Sequence, residues 1–169
     1  NIKTLKLSGY PSVWDDSEKE STSISFDHIE KVIIPSELTS LIGTKYRACL
    51  FSSAFQSVTT IEVEAGNEYF TVEDGVLYSK DKKVLYYYPT TKTDLKEFYV
   101  PETVEIIGSR AFYSIRGLDI YLPQGLEKIE EDAFYIDAGG DYTPKEGEEV
   151  YIHTNGSRPE IHQFACRFL

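Results

Sequence analysis

Methionine is absent from all 169 residues, even at position 1, tryptophan occurs once, and cysteine occurs only twice. The missing initiator leads us to expect a processed or excised piece of a longer protein. Two cysteines are too few for a disulfide framework and do not fix the compartment. No apolar run approaches the ~20 residues of a membrane span, and the start Asn1-Ile2-Lys3-Thr4 lacks the apolar region of a signal peptide. Basic residues are also scarce: 17 against 28 acidic ones leave a formal charge of −11. Phosphate backbones and anionic lipid surfaces would be bound against that field, so nucleic acid is not an expected partner. What is present is 41% apolar and 14% aromatic residues, enough to bury a core and to exclude wholesale disorder.

Three segments repeat one pattern. Phe98-Tyr99-Val100-Pro101 is followed by Val104, Ile107-Gly108 and Ala111-Phe112. Ile120-Tyr121-Leu122-Pro123 is followed by Leu126, Ile129 and Ala133-Phe134, and Val32-Ile33-Ile34-Pro35 by Leu38, Leu41 and Gly43. Counted from each proline, aliphatic residues fall at +3 and +6, and in two copies Ala-Phe falls at +10 and +11. Copies without the proline extend the series at Ile2–Ser8, Ile61–Glu64 and Val150–His153. Six rows result, ending at 8, 35, 64, 101, 123 and 153, with spacings of 27, 29, 37, 22 and 30. A minimum near 22 with variable excess is what stacked rows show when loops vary on one side.

Within a row, two apolar residues flanking an outward one make a half-buried strand, and proline then ends pairing. The Ala-Phe pair suits a single helical turn, as in Gly108-Ser-Arg-Ala-Phe, and little long helix is expected.

The run 98–134, with its I-x-L-P, L-x-x-I and A-F pieces, resembles the BspA-like leucine-rich repeat family of secreted and surface proteins. Lys45-Tyr46-Arg47-Ala48-Cys49 stands where such repeats often read A-F-x-x-C. Gly66-Asn67 through Asp74-Gly75 to Tyr88-Pro89 looks like the hairpin insertion common in the family. The resemblance covers about 29–134 well; it is weaker over 1–28, where Trp14 stands unmatched, and over 135–169, with a Gly- and Glu-rich stretch at 137–149. It implies one right-handed leucine-rich repeat solenoid over residues 1–169, β-rich with short helical turns, its sheet mainly parallel and broken by a β-hairpin near 67–89. It also implies a cell-surface or secreted recognition module rather than an enzyme.

The residues point the same way independently, because no nucleophile with its base, no phosphate-binding glycine loop and no H-E-x-x-H occurs. No catalytic residue, metal ligand or cofactor is therefore assigned. His153 and His162 fit no compact zinc spacing, and His153 reads as a surface residue at a turn. Asp137 to Asp141 lacks the alternating carboxylates of a calcium loop, and Asn155-Gly156-Ser157 is a glycosylation sequon in form only. At about 4.8 Å per row, Cys49 and Cys166 fall on the order of 19 Å apart, beyond disulfide reach, so both should be free. Cys49 reads as a packing thiol.

Aligning the outward positions gives two columns on the sheet face. The position two before each row end reads Lys6, Ile33, Glu62, Tyr99, Tyr121, Tyr151, and the position four before reads Thr4, Lys31, Thr60, Glu97, Asp119, Glu149. A tyrosine ladder thus stands beside a carboxylate ladder, the candidate contact face for a protein ligand such as a host or matrix glycoprotein. The bland reading is cross-strand pairing with acids for solubility. Tyrosines can equally stack on sugars, so a carbohydrate-binding or spacer module attached to a larger secreted enzyme is the alternative. Tyr86, Tyr87 and Tyr88 form a secondary candidate: strand alternation leaves at least one of the three exposed, while the favoured reading spends most of these rings on the hairpin's own core. No pattern here selects an oligomeric state.

Overall fold

A computed structural model describes residues 3–7, 29–41, 57–136, 149–156 and 159–161. Alternation of buried and outward residues sets the strands, as in Lys31–Ile34, where Val32 and Ile34 are buried and Lys31 and Ile33 lie between core and solvent. In chain order the strands are β1 (Thr4–Lys6), β2 (Lys31–Ile34), β3 (Thr60–Val63), β4 (Phe70–Glu73), β5 (Val76–Ser79) and β6 (Val84–Tyr87). They continue as β7 (Glu97–Tyr99), β8 (Ile106–Ile107), β9 (Asp119–Leu122), β10 (Lys128–Ile129), β11 (Tyr151–Thr154) and β12 (Glu160–Ile161).

Three sheets result. One has the order β1-β2-β3 and a second the order β11-β9-β7, both parallel throughout. The third has the order β12-β10-β8-β6-β5-β4 and is mixed: parallel from β6 to β12, antiparallel through β4, β5 and β6. The outer-face strands therefore fall into two separate sheets rather than one, and the expectation of a mainly parallel sheet holds for two sheets and for three of the five pairings in the third.

The interruption is the segment expected as a hairpin. Asp74 and Gly75 both have positive φ, 49° and 79°, the backbone of a two-residue turn whose twist matches the strands it joins, β4 and β5. β6 also lies inside 67–89 but is not part of a two-stranded insertion. Val84 and Leu85 stand beside Ile106 and Ile107, which stand in turn beside Lys128 and Ile129. Each step is 22 residues, so β6 already belongs to the repeating sheet.

No α-helix occurs among the described residues, which corrects the expected helical turn at Ala-Phe. Arg110 and Asp132 adopt positive φ, 57° and 56°, and the backbone turns there instead. The physical reason lies in where the amides go. The N–H of Phe112 donates to the carbonyl of Ala133 at 2.8 Å, that of Ser114 to Tyr135 at 2.7 Å, and that of Tyr88 to Ala111 at 2.8 Å. These bonds join neighbouring rows and leave too few donors for a helix.

Two apolar clusters fill the interior. Val32, Ile34, Leu38, Leu41, Val58 and Ile61 meet Phe70, Leu77 and Tyr87 in one. Val104, Ile107, Phe112, Ile120, Leu122, Leu126, Ile129 and Phe134 meet Val76, Tyr78, Leu85 and Tyr88 in the other. The antiparallel strands feed both clusters and form the seam between them. Phe112 and Phe134, equivalent in successive rows, are buried and stacked, with centroids 5.2 Å apart at 12°.

Asn67 ties the seam to the second row. Buried, it donates from Nδ2 to the carbonyls of Pro35 at 2.8 Å and Leu38 at 3.1 Å, and its Oδ1 accepts from the amides of Tyr69 and Phe70, both at 2.8 Å. All four of its hydrogen-bonding positions are used. Cys49, Cys166, His162, Trp14, residues 45–48, the stretch 137–148 and Ser157 lie outside the described residues, and so do the expectations attached to them.

Two predictions follow from this packing. Asn67→Ala orphans two carbonyls and two amides in the interior, so chemical denaturation should show a loss of at least about 2 kcal/mol, and a loss below about 0.5 kcal/mol would contradict the assignment. Phe112→Ala should cost about 3–5 kcal/mol in the same measurement, because it opens a cavity between Tyr88 and Phe134.

Candidate functional site

Strands β7, β9 and β11 position the candidate side chains. Glu97 stands beside Asp119 and Tyr99 beside Tyr121, the two columns expected from the sequence. The third strand corrects them. Tyr151 stands beside Asp119 and His153 beside Tyr121, so the sixth row is paired two residues later than a row end at 153 implies. Tyr151 therefore moves from the ring column to the carboxylate column. Glu149 precedes the strand, outside the paired residues. A slip of two residues leaves the inward set unchanged, because side chains alternate with period two; Val150 packs against the core, and Ile152 stands beside buried Ile120 while itself 36% exposed. No proline marks this row's end. The overlooked signal was Asn155-Gly156, with Gly156 at φ 85°, a turn in the place that Pro123 holds after Leu122.

His153, read from sequence as a turn residue, thus joins the face. The Tyr99 and Tyr121 rings stack with centroids 4.5 Å apart at 8°, and Tyr121 and His153 stack at 4.3 Å and 10°. Tyr99 and Tyr151 are 63% and 57% exposed, which makes them the most open large hydrophobic side chains described. The Tyr99 hydroxyl donates to Glu97 Oε2 at 3.1 Å, and His153 Nε2 lies 3.6 Å from Asp119 Oδ2. That hydrogen bond to Glu97 first, then lost solvation and the Glu97 charge, hold the Tyr99 phenol above the usual tyrosine range. For Tyr121 lost solvation leads, followed by the charges of Glu97 and Asp119. Both hydroxyls are protonated donors at neutral pH. Tyr121 thus has both of its faces covered, whereas Tyr99 and His153, at the two ends, each have one face covered by the stack.

The β1-β2-β3 face differs. Its Lys31 pairs with Glu62, and Lys6 pairs with Glu64, so its charges are matched internally. On the other face, neither Glu97 nor Asp119 has a lysine or arginine partner among the described residues.

Tyr87 and Tyr88 are fully buried, and Tyr86 is half-buried with its ring edge-on to Phe70 at 5.6 Å. This removes Tyr87 and Tyr88 from any contact surface and agrees with the reading that most of these rings make core. Consecutive tyrosines can both be buried here because core lies on both sides of the seam: Tyr87 enters one cluster and Tyr88 the other. A cavity of about 150 Å³ bordered by Thr90, Lys92, Leu95 and Arg116 is smaller than small-molecule sites usually are. Among the described residues no group of three or more His, Cys, Asp or Glu could hold a metal ion.

The central rows match a known family model. Residues 82–136 fit the model of the BspA type leucine rich repeat region. This stretch belongs to that family. The matched residues begin just before β6, in agreement with the place of that strand in the repeating sheet. Among solved structures, the pneumococcal vaccine antigen PcpA is 29% identical, with a TM-score of 0.53 over 77% of this chain and 29% of that one. A leucine-rich repeat protein from Eubacterium ventriosum is 20% identical, with a TM-score of 0.48 over 75% of this chain and 37% of that one. A leucine rich cell surface protein from Faecalibacterium prausnitzii is 22% identical, with a TM-score of 0.43 over 64% and 31%. The chain thus spans less than a third of the length of the pneumococcal antigen it resembles. No curated protein sequence matches at a significant level.

Burial of Tyr88 in the BspA-type region has a measurable consequence. Loss of solvation, with the Asp94 charge adding to it, pushes its phenol up to about 12. The unfolded chain then gives up this proton first, so the stability it confers is complete below pH ~10 and is lost as pH rises toward 12. Tyr88→Phe should make stability fall less steeply over that interval, as read from denaturation midpoints. An unchanged slope would contradict the burial of this ring.

Proposed function

We propose that this chain is a non-catalytic recognition module of a secreted or cell-surface protein, and that it binds a polypeptide ligand on the face of β7, β9 and β11. Host or matrix glycoproteins are the ligands of that class with surfaces to reach. The observation that carries this reading is the exposed Tyr99–Tyr121–His153 stack beside two carboxylates that, among the described residues, have no lysine or arginine partner. Stacked rings on a sheet are held rigid before binding, so they offer contact area at low entropic cost, and unmatched acids favour basic partners. Leucine-rich repeat modules generally bind proteins, and the likeness to a vaccine antigen supports a surface location. In this reading the six rows wind as one right-handed solenoid that forms part of a longer protein.

The stack geometry leaves the central ring, Tyr121, no open face for a sugar. Sugar rings pack on the flat faces of aromatic rings, and here the faces of Tyr121 are covered on both sides by Tyr99 and His153. A spacer has no need of tyrosines as exposed as Tyr99 and Tyr151.

The test is a triple variant, Tyr99→Ala, Tyr121→Ala and His153→Ala, confirmed as folded by circular dichroism and assayed against immobilised extracellular proteins and glycans. A protein held by the unaltered chain should bind at least ten-fold more weakly to the variant, and the original affinity should fall as salt rises. Unchanged binding would refute the face as the site, and salt-independent binding to a glycan would establish the alternative.

A further inference from the structure

We propose, building on that recognition face, that the rim of the Tyr99–Tyr121 stack is a seat for one arginine side chain of the partner polypeptide, its guanidinium held against the ring edges and the carboxylates of Glu97 and Asp119.

The molecule contains an occupied counterpart of this arrangement. Tyr113 and Tyr135 stack with centroids 5.3 Å apart at 9°. The guanidinium carbon of Arg110 lies 5.9 Å from the first centroid and 5.7 Å from the second, which places it over their shared edge. The same guanidinium pairs with Asp132 at 3.3 Å. Two stacked tyrosines, one arginine across their rim and a carboxylate beside it make a closed set.

Among the described residues, the exposed face repeats every part of that set except the cation. Tyr99 and Tyr121 are separated by the same 22 residues as Tyr113 and Tyr135 and stack at a similar angle. Glu97 and Asp119 stand directly opposite each other on neighbouring strands, where like charges repel unless a cation lies between them. Strands β7, β9 and β11 carry no lysine or arginine that could fill the place. His153 approaches only Asp119, at 3.6 Å. Arginine suits the seat better than lysine, because its planar group can donate to both carboxylates from separate N–H groups while packing along the rim of the stack, as Arg110 does on Tyr113 and Tyr135. An ammonium group is a compact, strongly hydrated charge that can satisfy the acids but gains less from the rings.

Hexa-arginine and hexa-lysine peptides, equal in length and charge, serve as probes in calorimetric titration against the full chain. Hexa-arginine should bind at least five-fold more tightly, and this advantage should vanish in a Tyr99→Leu, Tyr121→Leu variant. Glu97→Gln with Asp119→Asn, which preserves side-chain shape, should weaken hexa-arginine at least five-fold. Equal affinity for the two peptides would overturn the seat and leave only attraction to a chain of net charge −11. Variants that bind hexa-arginine like the parent would overturn it too, by placing the site elsewhere. The recognition face fails by a different result: a partner protein kept by the folded triple alanine variant refutes the face, whereas a partner lost there but bound without arginine preference refutes the seat alone.

Discussion

A single 22-residue offset governs the central rows of this chain. It pairs β6 with β8, β8 with β10 and β7 with β9, so both sheets of the family-matched region advance together. Everything that repeats at that interval stands against its own counterpart. Leu85, Ile107 and Ile129 line up inside, Phe112 stacks on Phe134, Tyr113 on Tyr135 and Tyr99 on Tyr121. A slip of one residue in β9 would send Tyr121 inward and Ile120 outward, so burial of Ile120, Leu122 and Phe112 fixes the outer stack as firmly as the inner one. The exposed ring stack is therefore a consequence of core packing, held in place by residues that never meet a ligand.

Where proline marks the row end, the sequence was enough to place both columns. Pro101 and Pro123 end β7 and β9, and the partners Glu97 with Asp119 and Tyr99 with Tyr121 could be read off directly. Burial of Ile34, Leu38, Leu41, Phe112 and Phe134 was legible for the same reason. The sixth row has no such marker, and period-two alternation cannot separate a spacing of 30 from one of 32; this hid His153 and misplaced Tyr151 and Glu149. The Ala-Phe turn was misread because local sequence does not reveal that Phe112 and Ser114 give their amides to the next row. Likewise β6 looked like part of the insertion because 66–89 as a whole resembles that hairpin, and only its pairing with β8 places it among the repeating strands.

The two outward faces differ chemically although they come from the same repeat. On β1, β2 and β3 lysines and glutamates neutralise one another, while on β7, β9 and β11 aromatic rings occupy one column and Glu97, Asp119 and Tyr151 the other. The seam of antiparallel strands, secured by Asn67, separates them. A repeat scaffold of this kind can change one row's outward residues without touching the core, since inward and outward positions alternate along each strand. Recognition chemistry is thus confined to a few rows while the remaining rows keep the register.

Proton–proton nuclear Overhauser measurements on the aromatic side chains test the register most directly, because the whole face depends on which rings are neighbours. The structure requires cross peaks between the rings of Tyr99 and Tyr121 and between those of Tyr121 and His153. Cross peaks from Tyr121 to the Tyr151 ring, with none to His153, would contradict the pairing of β11 with β9 and the recognition face built on it.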